Sequence, residues 1–289
     1  MSAPTEGLLV VDKAEGPTSF DVVARARRAL GTRAIGHTGT LDPLASGVLV
    51  LLAGRWTRLA NLLASDDKRY RATIRFGTRT TTDDRAGEVV EHADPAPLVE
   101  ERVRSALASM RGAQEQVPPA YSAIHVEGQR AYQLARRGDE VELAPRSVTI
   151  FTLELVHWSS PDAVVDVHCS KGTYVRALAR DVGRALGVPA HLYALRRTAA
   201  GPWTLDDAVP QAQLDDPAAA RAAVRTGLTA LRGVPLLAVD ERTAGALRQG
   251  KRPAVDAPTL PGAVAHCGDD LVAIVAVDDG TARVVRGFG

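Results

Sequence analysis

The sequence has 289 residues, of which 45 % are hydrophobic and 24 % are charged, and its formal net charge is +1. This length and composition fit about two globular domains with buried cores. The near-zero net charge excludes a strongly basic protein that attracts nucleic acid over its whole surface, although it leaves room for a local basic face.

The two cysteines, Cys169 and Cys267, lie in distant segments and form no CxxC or zinc-binding pattern. This usage predicts a reducing, cytoplasmic location. The N-terminal segment has no basic region before its short apolar run, so we predict no signal peptide. No apolar run approaches the roughly 18 residues of a membrane span, so we expect no membrane contact.

Five elements are predicted in the first quarter of the chain. Continuous apolar runs between glycines indicate buried strands, a capped apolar stripe indicates a helix, and alternation indicates a half-exposed strand. In chain order they are the strand GLLVVDK, the helix GPTSFDVVARARRALG with Thr18 or Ser19 as cap and Gly31 as stop, the strand GVLVLLAG, the helix RWTRLANLLAS and the strand KRYRATIRFG. Arginines alternate along the last strand, which predicts a basic face there.

The rest of the chain mixes strands and helices without regular alternation. The patterns predict the helix LVEERVRSALASMRG, the strand YSAIHVEGQ, the helix RAYQLARRG, the strands RSVTIFTLELVHWSS and AVVDVHCSKGTYV, and the helices RALARDVGRALG and PAAARAAVRTGLTAL. A short helix, ERTAGALRQG, then precedes a hairpin with a DDG turn, LVAIVAVDDGTARVVRG. We therefore predict an α+β fold, with a large, mostly antiparallel mixed sheet in residues 1–232 and a small β domain in residues 235–289.

A single acid, Asp42, lies between the polar run GHTGT and an apolar strand. Asp, Gly and Pro are turn residues, so this segment fits a plain turn. Pro43 biases Asp42 toward an extended backbone, and the flanking glycines allow a ligand to approach closely. His37 would be its nearest metal-binding partner, but no further ligand has suitable spacing, so we expect no metal site. A lone acid on a rigid loop also fits an aspartate nucleophile.

Two further segments combine aromatic and basic side chains. In SKGTYVRALARDVG, Tyr174 fits either a core aromatic or a site residue. Arg176 and Arg180 are four apart on one helix face, so one of them fits an inward partner for a carboxylate. In DKRYRATIRFG, Tyr70 among arginines fits either an ordinary amphipathic strand or a platform on which a base stacks beside phosphate contacts.

In this order, the segments resemble the TruB family of tRNA pseudouridine synthases, which isomerise the uridine at position 55 in the T-arm of tRNA. GLLVVDKAEGPTS resembles the first motif of the family, and GHTGTLDPLASGVLVLLAG closely matches its catalytic motif. Later motifs are matched by KRYRATIRFG, QVPPAYSAIHVEGQRAYQLAR, SKGTYVRALARDVG and LRRTAAGPW, so the similarity covers about residues 7–205. The resemblance implies the pseudouridine synthase fold and an RNA-binding, PUA-like domain in residues 235–289. One departure is Ala14, where the family commonly has proline.

The resemblance also implies which residues carry out the reaction. Asp42 is implied to be the catalytic aspartate, and Arg176 is implied to form an ion pair with it. Tyr70 is implied to stack on the flipped base. Tyr174 is implied to orient the base and to relay the proton from its C5.

Three more matching residues are implied to support the substrate. Leu195 matches an apolar residue that packs against the target base, His37 matches a residue that holds the rearranged RNA loop, and Lys13 supports the site structurally. The implied partner is the T-arm stem-loop of tRNA, and we expect a monomer that requires no protein partner.

The implied reaction breaks the C1′–N1 bond, turns the uracil and joins C5 to C1′. Nothing is oxidised and no group is lost, so we expect no cofactor and no metal. The sequence leaves open whether the carboxylate attacks C1′, adds to C6 or removes the C2′ proton.

Two other functional classes stay open at this point. A non-catalytic RNA-binding or RNA-folding protein would use the same basic surface and would not depend on Asp42. A carboxylate hydrolase that acts on a nucleoside or sugar would need a second positioned acid, and the sequence offers no convincing candidate.

Overall fold

The computed structural model describes residues 5–64, 67–96, 98–122, 124–126, 129–137 and 143–288. The strands in these ranges are β1 (Gly7–Lys13), β2 (Ile35–His37), β3 (Ala45–Ala53), β4 (Lys68–Phe76), β5 (Thr78–Thr80), β6 (Val89–His92), β7 (Gly112–Gln116), β8 (His125–Val126), β9 (Gln129–Arg130), β10 (Arg146–Ser159), β11 (Asp162–Cys169), β12 (Ala190–Ala200), β13 (Trp203–Thr204), β14 (Val209–Pro210), β15 (Leu236–Ala238), β16 (Leu260–Cys267), β17 (Asp270–Asp278) and β18 (Thr281–Gly287).

The described ranges contain fewer helices than strands. They are α1 (Ser19–Leu30), α2 (Ala60–Leu63), α3 (Glu100–Ser109), α4 (Ala131–Arg136), α5 (Val175–Leu186), α6 (Pro217–Ala222) and α7 (Glu241–Arg248). Short 3₁₀ turns occur at Gly54–Leu59, Leu205–Asp207, Gln211–Asp215 and Leu228–Ala230. In the part of the chain that the structure describes, no helix is long and apolar enough to cross a membrane.

The predicted α+β class is confirmed, and the main helix ends lie where the sequence places them. Thr18 is the N-cap of α1: its side chain accepts the Asp21 N–H, and the Asp21 carboxylate accepts the Thr18 N–H in return. Gly31 ends the helix with φ 66°, a left-handed conformation that suits glycine. The predicted hairpin near the C-terminus is also present, as β17 and β18.

Four predicted elements differ from the structure. The strand predicted from AVVDVHCSKGTYV ends at Cys169, and the last residue of this segment, Val175, is the first residue of α5. RWTRLANLLAS forms a 3₁₀ turn and then the single turn α2, and Thr57 Oγ1 donates to the Gly54 carbonyl at the start of that 3₁₀ turn. The helix predicted from PAAARAAVRTGLTAL stops after α6, because the Arg225 backbone leaves it to form two hydrogen bonds with Leu8 of β1. YSAIHVEGQ contains the short strands β8 and β9 rather than one strand, and residues 123, 127 and 128 lie outside the described ranges.

The chain divides into two compact units. The first contains the described residues of segments 1–43, 47–66 and 200–289, and the second contains those of 44–46 and 67–199. Ten of the described strands belong to a large mixed sheet. In the first unit β14, β1 and β3 are neighbours in that order, and β2 also pairs with β3; in the second unit the order is β12-β4-β11-β10-β7.

The first unit is built around the antiparallel pair of β1 and β3. The alternate residues Leu8 and Val10 of β1 pack with Val48 and Val50 of β3 in one buried cluster. Val264 of β16, Leu271 of β17 and Phe288, the residue after β18, join the same cluster. The first unit therefore includes the C-terminal strands in its core.

The C-terminal strands also have a core of their own. β15, β16, β17 and β18 form a four-stranded sheet in that order, and α7 packs on it through the buried side chains Ala244 and Leu247. This is the small C-terminal β region that the sequence predicts. The domain boundaries at 1–232 and 235–289 stay a prediction.

The second unit is a mostly antiparallel sheet covered on one face by α3 and α5. Ala72, Ile74 and Phe76 of β4 point into its core, where they join Val103 of α3 and Leu178 of α5. This packing makes α5 a rigid support, because its inner side is buried along its whole length.

Candidate active site

The loop that carries Asp42 is held by hydrogen bonds on both sides of this residue. Before it, the buried Ser19 side chain accepts the Leu41 N–H at 2.8 Å and donates to the Leu41 carbonyl at 3.0 Å. After it, the Pro43 carbonyl accepts the Gly16 N–H at 2.8 Å. Asp42 itself is half-buried. Its backbone is therefore fixed between two anchors, while its side chain stays partly accessible.

The two anchors are Gly16, in the turn between β1 and α1, and Ser19, at the start of α1. Ser19 is the first residue of α1, so the helix start and the Asp42 loop are one connected structure. Gly16 has φ 106°, a conformation that L side chains rarely adopt, and this glycine lets the segment turn toward Pro43. Sequence reasoning considered Ser19 only as a helix cap and assigned Gly16 no role.

Lys13 and His37 lie at the ends of two strands of the first unit. Lys13 closes β1 opposite Gly47 of β3, is fully buried, and donates from Nζ to the Ala14 carbonyl at 2.9 Å. A buried lysine bound to the backbone fits the structural role predicted for it. His37 closes β2 opposite Leu51 of β3 and is half-buried.

Ala14 explains how this chain tolerates its departure from the family motif. Its N–H donates to Oε1 of the buried Gln211 at 3.0 Å. A proline at this position has no N–H and could not make this bond. This chain therefore secures the first motif with a side chain from the segment after β14.

In the second unit, Tyr174 is the N-cap residue of α5 and is half-buried. Its backbone is bound by the Gln116 side chain, which accepts the Tyr174 N–H at 2.8 Å and donates to its carbonyl at 3.2 Å. The Arg146 guanidinium carbon lies 5.6 Å from the centroid of the Tyr174 ring. Tyr174 is thus held at both its backbone and its ring.

Arg176, on the first turn of α5, is buried and held by polar partners. Nη1 donates to the Thr82 carbonyl at 3.1 Å, Nη2 donates to the Tyr121 carbonyl at 3.0 Å, and Nη1 lies 3.5 Å from Oδ2 of the buried Asp84. Asp84 is in turn held by the Thr82 hydroxyl at 2.7 Å and the Ala86 N–H at 2.9 Å. The guanidinium of Arg176 therefore has a defined orientation within the second unit.

A second buried ion pair lies beside the first. Arg180, one turn further along α5, donates from Nη1 to Asp83 Oδ2 at 2.8 Å and also binds Asp181 and the Val117 carbonyl. Burial raises the pKa of Asp83, and the Arg180 guanidinium acts in the opposite direction. Asp83 has φ 57°, which a side chain as short as aspartate tolerates.

Sequence reasoning missed Asp83 and Asp84. The only signal is the pair of adjacent acids in TTDDRAG, which by itself fits an ordinary turn. The structure gives them a common function: they connect the loop after β5 to two arginines of α5.

Tyr70 and Leu195 are both half-buried side chains that pack against the core of the second unit. Tyr70 lies on β4 opposite Val167 of β11, and Leu195 lies on β12. Tyr70 shares its strand face with Ala72, since alternate residues of a strand point the same way.

The basic face predicted along β4 is wrong for two of its three arginines. Arg71 forms two hydrogen bonds with Asp166, at 2.9 and 2.8 Å, and Arg75 forms two with Asp162, both at 2.7 Å. These arginines lie on the strand face opposite Tyr70, so they do not share a surface with its ring, and stacking of a base on Tyr70 stays a prediction. Asp162 and Asp166 lie on the neighbouring strand β11 directly opposite Arg75 and Arg71, and they neutralise these arginines.

The predicted site residues fall into two groups. Lys13, His37 and Asp42 belong to the first unit, and the second unit contains Tyr70, Tyr174, Arg176 and Leu195. The ion pair between Asp42 and Arg176 stays a prediction. Among the described residues, no three His, Cys, Asp or Glu side chains form a cluster that would hold a metal ion.

Comparisons with known proteins place the chain in a family. The description "TruB family pseudouridylate synthase (N terminal domain)" matches residues 27–175, and "tRNA pseudouridylate synthase B C-terminal domain" matches residues 176–234. The tRNA pseudouridine synthase B of Corynebacterium efficiens is 47 % identical over 249 residues, which cover 85 % of this chain and 83 % of the relative. That of Nocardia farcinica is 46 % identical over 288 residues, which cover 96 % of this chain and 90 % of the relative.

Solved structures share the fold at lower sequence identity. A chain of a Cbf5-Nop10-Gar1 complex superposes with a TM-score of 0.76 at 23 % identity, and the superposition covers 99 % of this chain and 85 % of that chain. A chain of an H/ACA RNP bound to a substrate RNA containing 2′-deoxyuridine gives a TM-score of 0.74 at 21 % identity, covering 99 % and 86 %. The two domain matches and the extended identity with the bacterial enzymes lead to one conclusion: the chain belongs to the TruB family of pseudouridylate synthases.

Proposed function

We propose that this protein isomerises uridine to pseudouridine at position 55 in the T-arm loop of tRNA, with Asp42 as the catalytic group. The single observation that carries the proposal is the Asp42 loop, in which Leu41 is hydrogen-bonded to the first residue of α1 and Pro43 to the turn before α1, on either side of a half-buried carboxylate. A fixed backbone with an accessible carboxylate is what an enzyme needs to hold a reacting atom in place. The relatives named tRNA pseudouridine synthase B supply the substrate class.

The reaction is balanced without any added reagent. The C1′–N1 bond breaks, the C1′–C5 bond forms, and the proton at C5 is lost while N1 gains one. Three routes use the carboxylate of Asp42: attack on C1′, addition to C6 of the base, or removal of the C2′ proton. Each route needs an ionised carboxylate, and no cofactor or metal takes part in any of them.

The uridine must leave the base stack before its C1′ and C5 can be reached. Extruding a nucleotide costs on the order of a few kcal/mol, which contacts in the pocket repay. We assign stacking on the base to Tyr70, packing against it to Leu195, and its orientation together with proton relay from C5 to Tyr174. Arg176 pairs with the Asp42 carboxylate and keeps it ionised, and its fixed guanidinium supports this role.

The remaining assignments concern the RNA as a whole. His37 holds the rearranged loop, and Lys13 supports the strand end beside it. Recognition is of the folded T-arm, by shape and backbone, as is usual for structured RNA. The proposal includes a cytoplasmic monomer that requires no protein partner, a domain boundary between residues 232 and 235, and a PUA-like role in RNA binding for the C-terminal sheet.

The experiment is release of tritium from C5-labelled uridine in a tRNA transcript. The wild-type protein is expected to release label from this transcript, and a transcript with cytidine at position 55 is expected to release none from that site. Asp42→Asn should abolish release, whereas Asp206→Asn, a change at an exposed aspartate, should leave it unchanged.

The same assay separates the rival class. A non-catalytic RNA-binding protein would release no tritium in the wild-type form, and Asp42→Asn would bind tRNA as the wild type does. Release that is unchanged in Asp42→Asn would remove Asp42 from the mechanism.

A further inference from the structure

Gln116, the last residue of β7, holds a residue far along the chain. It is 2 % exposed, and its two amide atoms bind the backbone of Tyr174, 58 residues later. Oε1 accepts the Tyr174 N–H at 2.8 Å, and Nε2 donates to the Tyr174 carbonyl at 3.2 Å. A carboxamide has an acceptor and a donor side by side, so it can bind the N–H and the carbonyl of one residue, as the backbone of a neighbouring strand does.

The Tyr174 backbone is where α5 begins. The Tyr174 side chain does not cap the helix, while its carbonyl also accepts the Leu178 N–H at 3.0 Å in the first turn. Gln116 therefore binds both polar groups of the residue from which the helix starts. The direction of this first turn also sets the position of Arg176, two residues further along.

The Tyr174 ring is held from the strand beside Gln116. Arg146 is the first residue of β10 and lies directly opposite Gln116 in the antiparallel pair of β7 and β10. Its guanidinium carbon is 5.6 Å from the ring centroid, within the range of a cation–π contact. The Arg146 Nε is buried and has no hydrogen-bond partner among the described residues. The Tyr174 ring is therefore a contact that helps to hold the guanidinium in place.

We propose that Gln116 is a positioning residue for pseudouridine formation, which sets the backbone of Tyr174 while Arg146, opposite it, sets the ring. The proposal rests on the proposed function, because it takes Tyr174 as the residue that orients the base. Gln116 does not touch the substrate. It acts through Tyr174, so its loss lowers the rate of the chemical step and leaves tRNA binding almost unchanged.

The first test compares two glutamines of the same strand. Gln114 lies two residues before Gln116 on the same face of β7, but it donates to the Met110 carbonyl instead of Tyr174. Gln116→Met should lower the single-turnover rate constant for tritium release by about 10- to 100-fold, because small displacements of a positioned group cost this much. Gln114→Met should stay within about twofold of the wild type, since it loses one hydrogen bond that no site residue shares. The Kd for tRNA should be the same in all three proteins.

The second test uses a side chain whose donor can be switched. In Gln116→Glu an ionised carboxylate can accept the Tyr174 N–H but cannot donate to its carbonyl, whereas the protonated acid can do both. Burial raises the pKa of such a carboxyl, the Arg146 guanidinium directly opposite acts in the other direction, and lowering the pH increases the protonated fraction. The rate constant of Gln116→Glu, divided by that of the wild type at the same pH, should therefore rise as the pH is lowered from 8 to 5. If Gln116→Met does not fold, this variant at low pH replaces it.

The third test is a double-mutant cycle with Tyr174→Phe. If Gln116 acts through Tyr174, the double variant should lose no more than the more impaired single variant. Three results would each overturn the positioning role. The first is a double variant whose rate constant falls by the product of the two single reductions. The others are a pH-independent ratio for Gln116→Glu and a Gln116→Met rate constant equal to that of Gln114→Met. A wild type that forms no pseudouridine would instead overturn the proposed function, and a fully active Tyr174→Phe would overturn the proton relay assigned to Tyr174.

Discussion

The second unit contains the same kind of ion pair in two different settings. On the outer face of β4 and β11, Arg71 binds Asp166 through side chains that are 55 % and 46 % exposed. On the inner side, Arg176 lies beside Asp84 with side chains that are 6 % and 7 % exposed. We call Arg71–Asp166 and Arg75–Asp162 the outer pairs, and Arg176–Asp84 and Arg180–Asp83 the inner pairs.

The geometry of the outer pairs is the better one, since each arginine forms two short hydrogen bonds with its partner. Exposed pairs nevertheless contribute only about 0–1 kcal/mol, because water and salt screen them. Losing one partner of a buried pair costs roughly 3–5 kcal/mol, since the other charge is left without compensation. Burial, rather than the number of hydrogen bonds, therefore decides which pairs the protein depends on.

The largest effects on stability are expected at the acids of the inner pairs, and Asp83 is one of them. Asp83→Asn keeps the shape of the side chain and tolerates the left-handed backbone, but it removes the charge that compensates Arg180. We expect the free energy of unfolding to fall by about 3 kcal/mol, the lower end of the range for buried pairs, because Asp181 still binds Arg180. Chemical denaturation measures this change. A loss below about 1 kcal/mol, as for an exposed pair, would contradict the distinction between inner and outer pairs.

Asp84 is the acid of the other inner pair, so Asp84→Asn should also lower the free energy of unfolding by roughly 3–5 kcal/mol, and it should in addition affect catalysis. Asp84→Asn keeps an acceptor for the Thr82 hydroxyl and the Ala86 N–H, but it faces Arg176 with a neutral amide. We expect the single-turnover rate constant to fall by about 10- to 100-fold through misplacement of the guanidinium. Rapid-quench kinetics with the protein in excess of the tRNA and above the Kd checks this. An unchanged rate constant would separate Asp84 from the function of Arg176.

A neutral buried group tests whether burial matters without charge. Ser19→Ala removes both hydrogen bonds to Leu41 and leaves a buried N–H and carbonyl, which should cost about 1–2 kcal/mol of stability. The Asp42 loop should also become more mobile. The melting curve measures the loss of stability, and hydrogen exchange at the Leu41 amide measures the mobility of the loop. Ser109→Ala, in the other unit, is the control. Unaltered protection of the Leu41 amide would mean that Ser19 does not hold the loop.

The smallest effect is expected on the outer face. A double-mutant cycle of Arg71→Ala and Asp166→Ala should give a coupling energy below about 1 kcal/mol, and this energy should shrink as salt is added. Neither change should alter tritium release, because both side chains lie on the strand face opposite Tyr70. A coupling energy that is large and independent of salt would show that the outer pairs behave like buried ones.

The elements that could be predicted from the sequence are those whose signals are local. α1 is bounded by Thr18 and Gly31, whose capping geometry involves only neighbouring residues. β1 and β3 are continuous apolar runs, which need no partner to be recognised. The helix predicted from PAAARAAVRTGLTAL is too long, because the Arg225 backbone pairs with Leu8, more than 200 residues earlier, and no local pattern indicates such a contact.

In the candidate site, too, local signals indicate some residues and not others. Asp42, Tyr70, Tyr174 and Arg176 were identified through a resemblance between motifs, while the groups that hold them were not. Gln116 lies 58 residues before the backbone that it binds. Such partners are brought together only by the tertiary fold, and a single glutamine has no sequence signal that distinguishes it from an exposed one.

Charge along β4 illustrates the reverse error. Alternating arginines indicate a basic face only if the neighbouring strand is not acidic at the same positions. Asp166 and Asp162 lie on the neighbouring strand β11 directly opposite Arg71 and Arg75, which is a matter of strand order and register. Neither can be read from the strand itself.

The central claim is that Asp42, on its anchored loop, carries out the chemistry. The most direct measurement is the single-turnover rate of tritium release by Asp42→Asn at saturating protein, with tRNA binding measured in parallel. We predict that binding stays within about twofold of the wild type while release falls below detection, because the amide cannot act as nucleophile or base. Release at the wild-type rate would contradict this account.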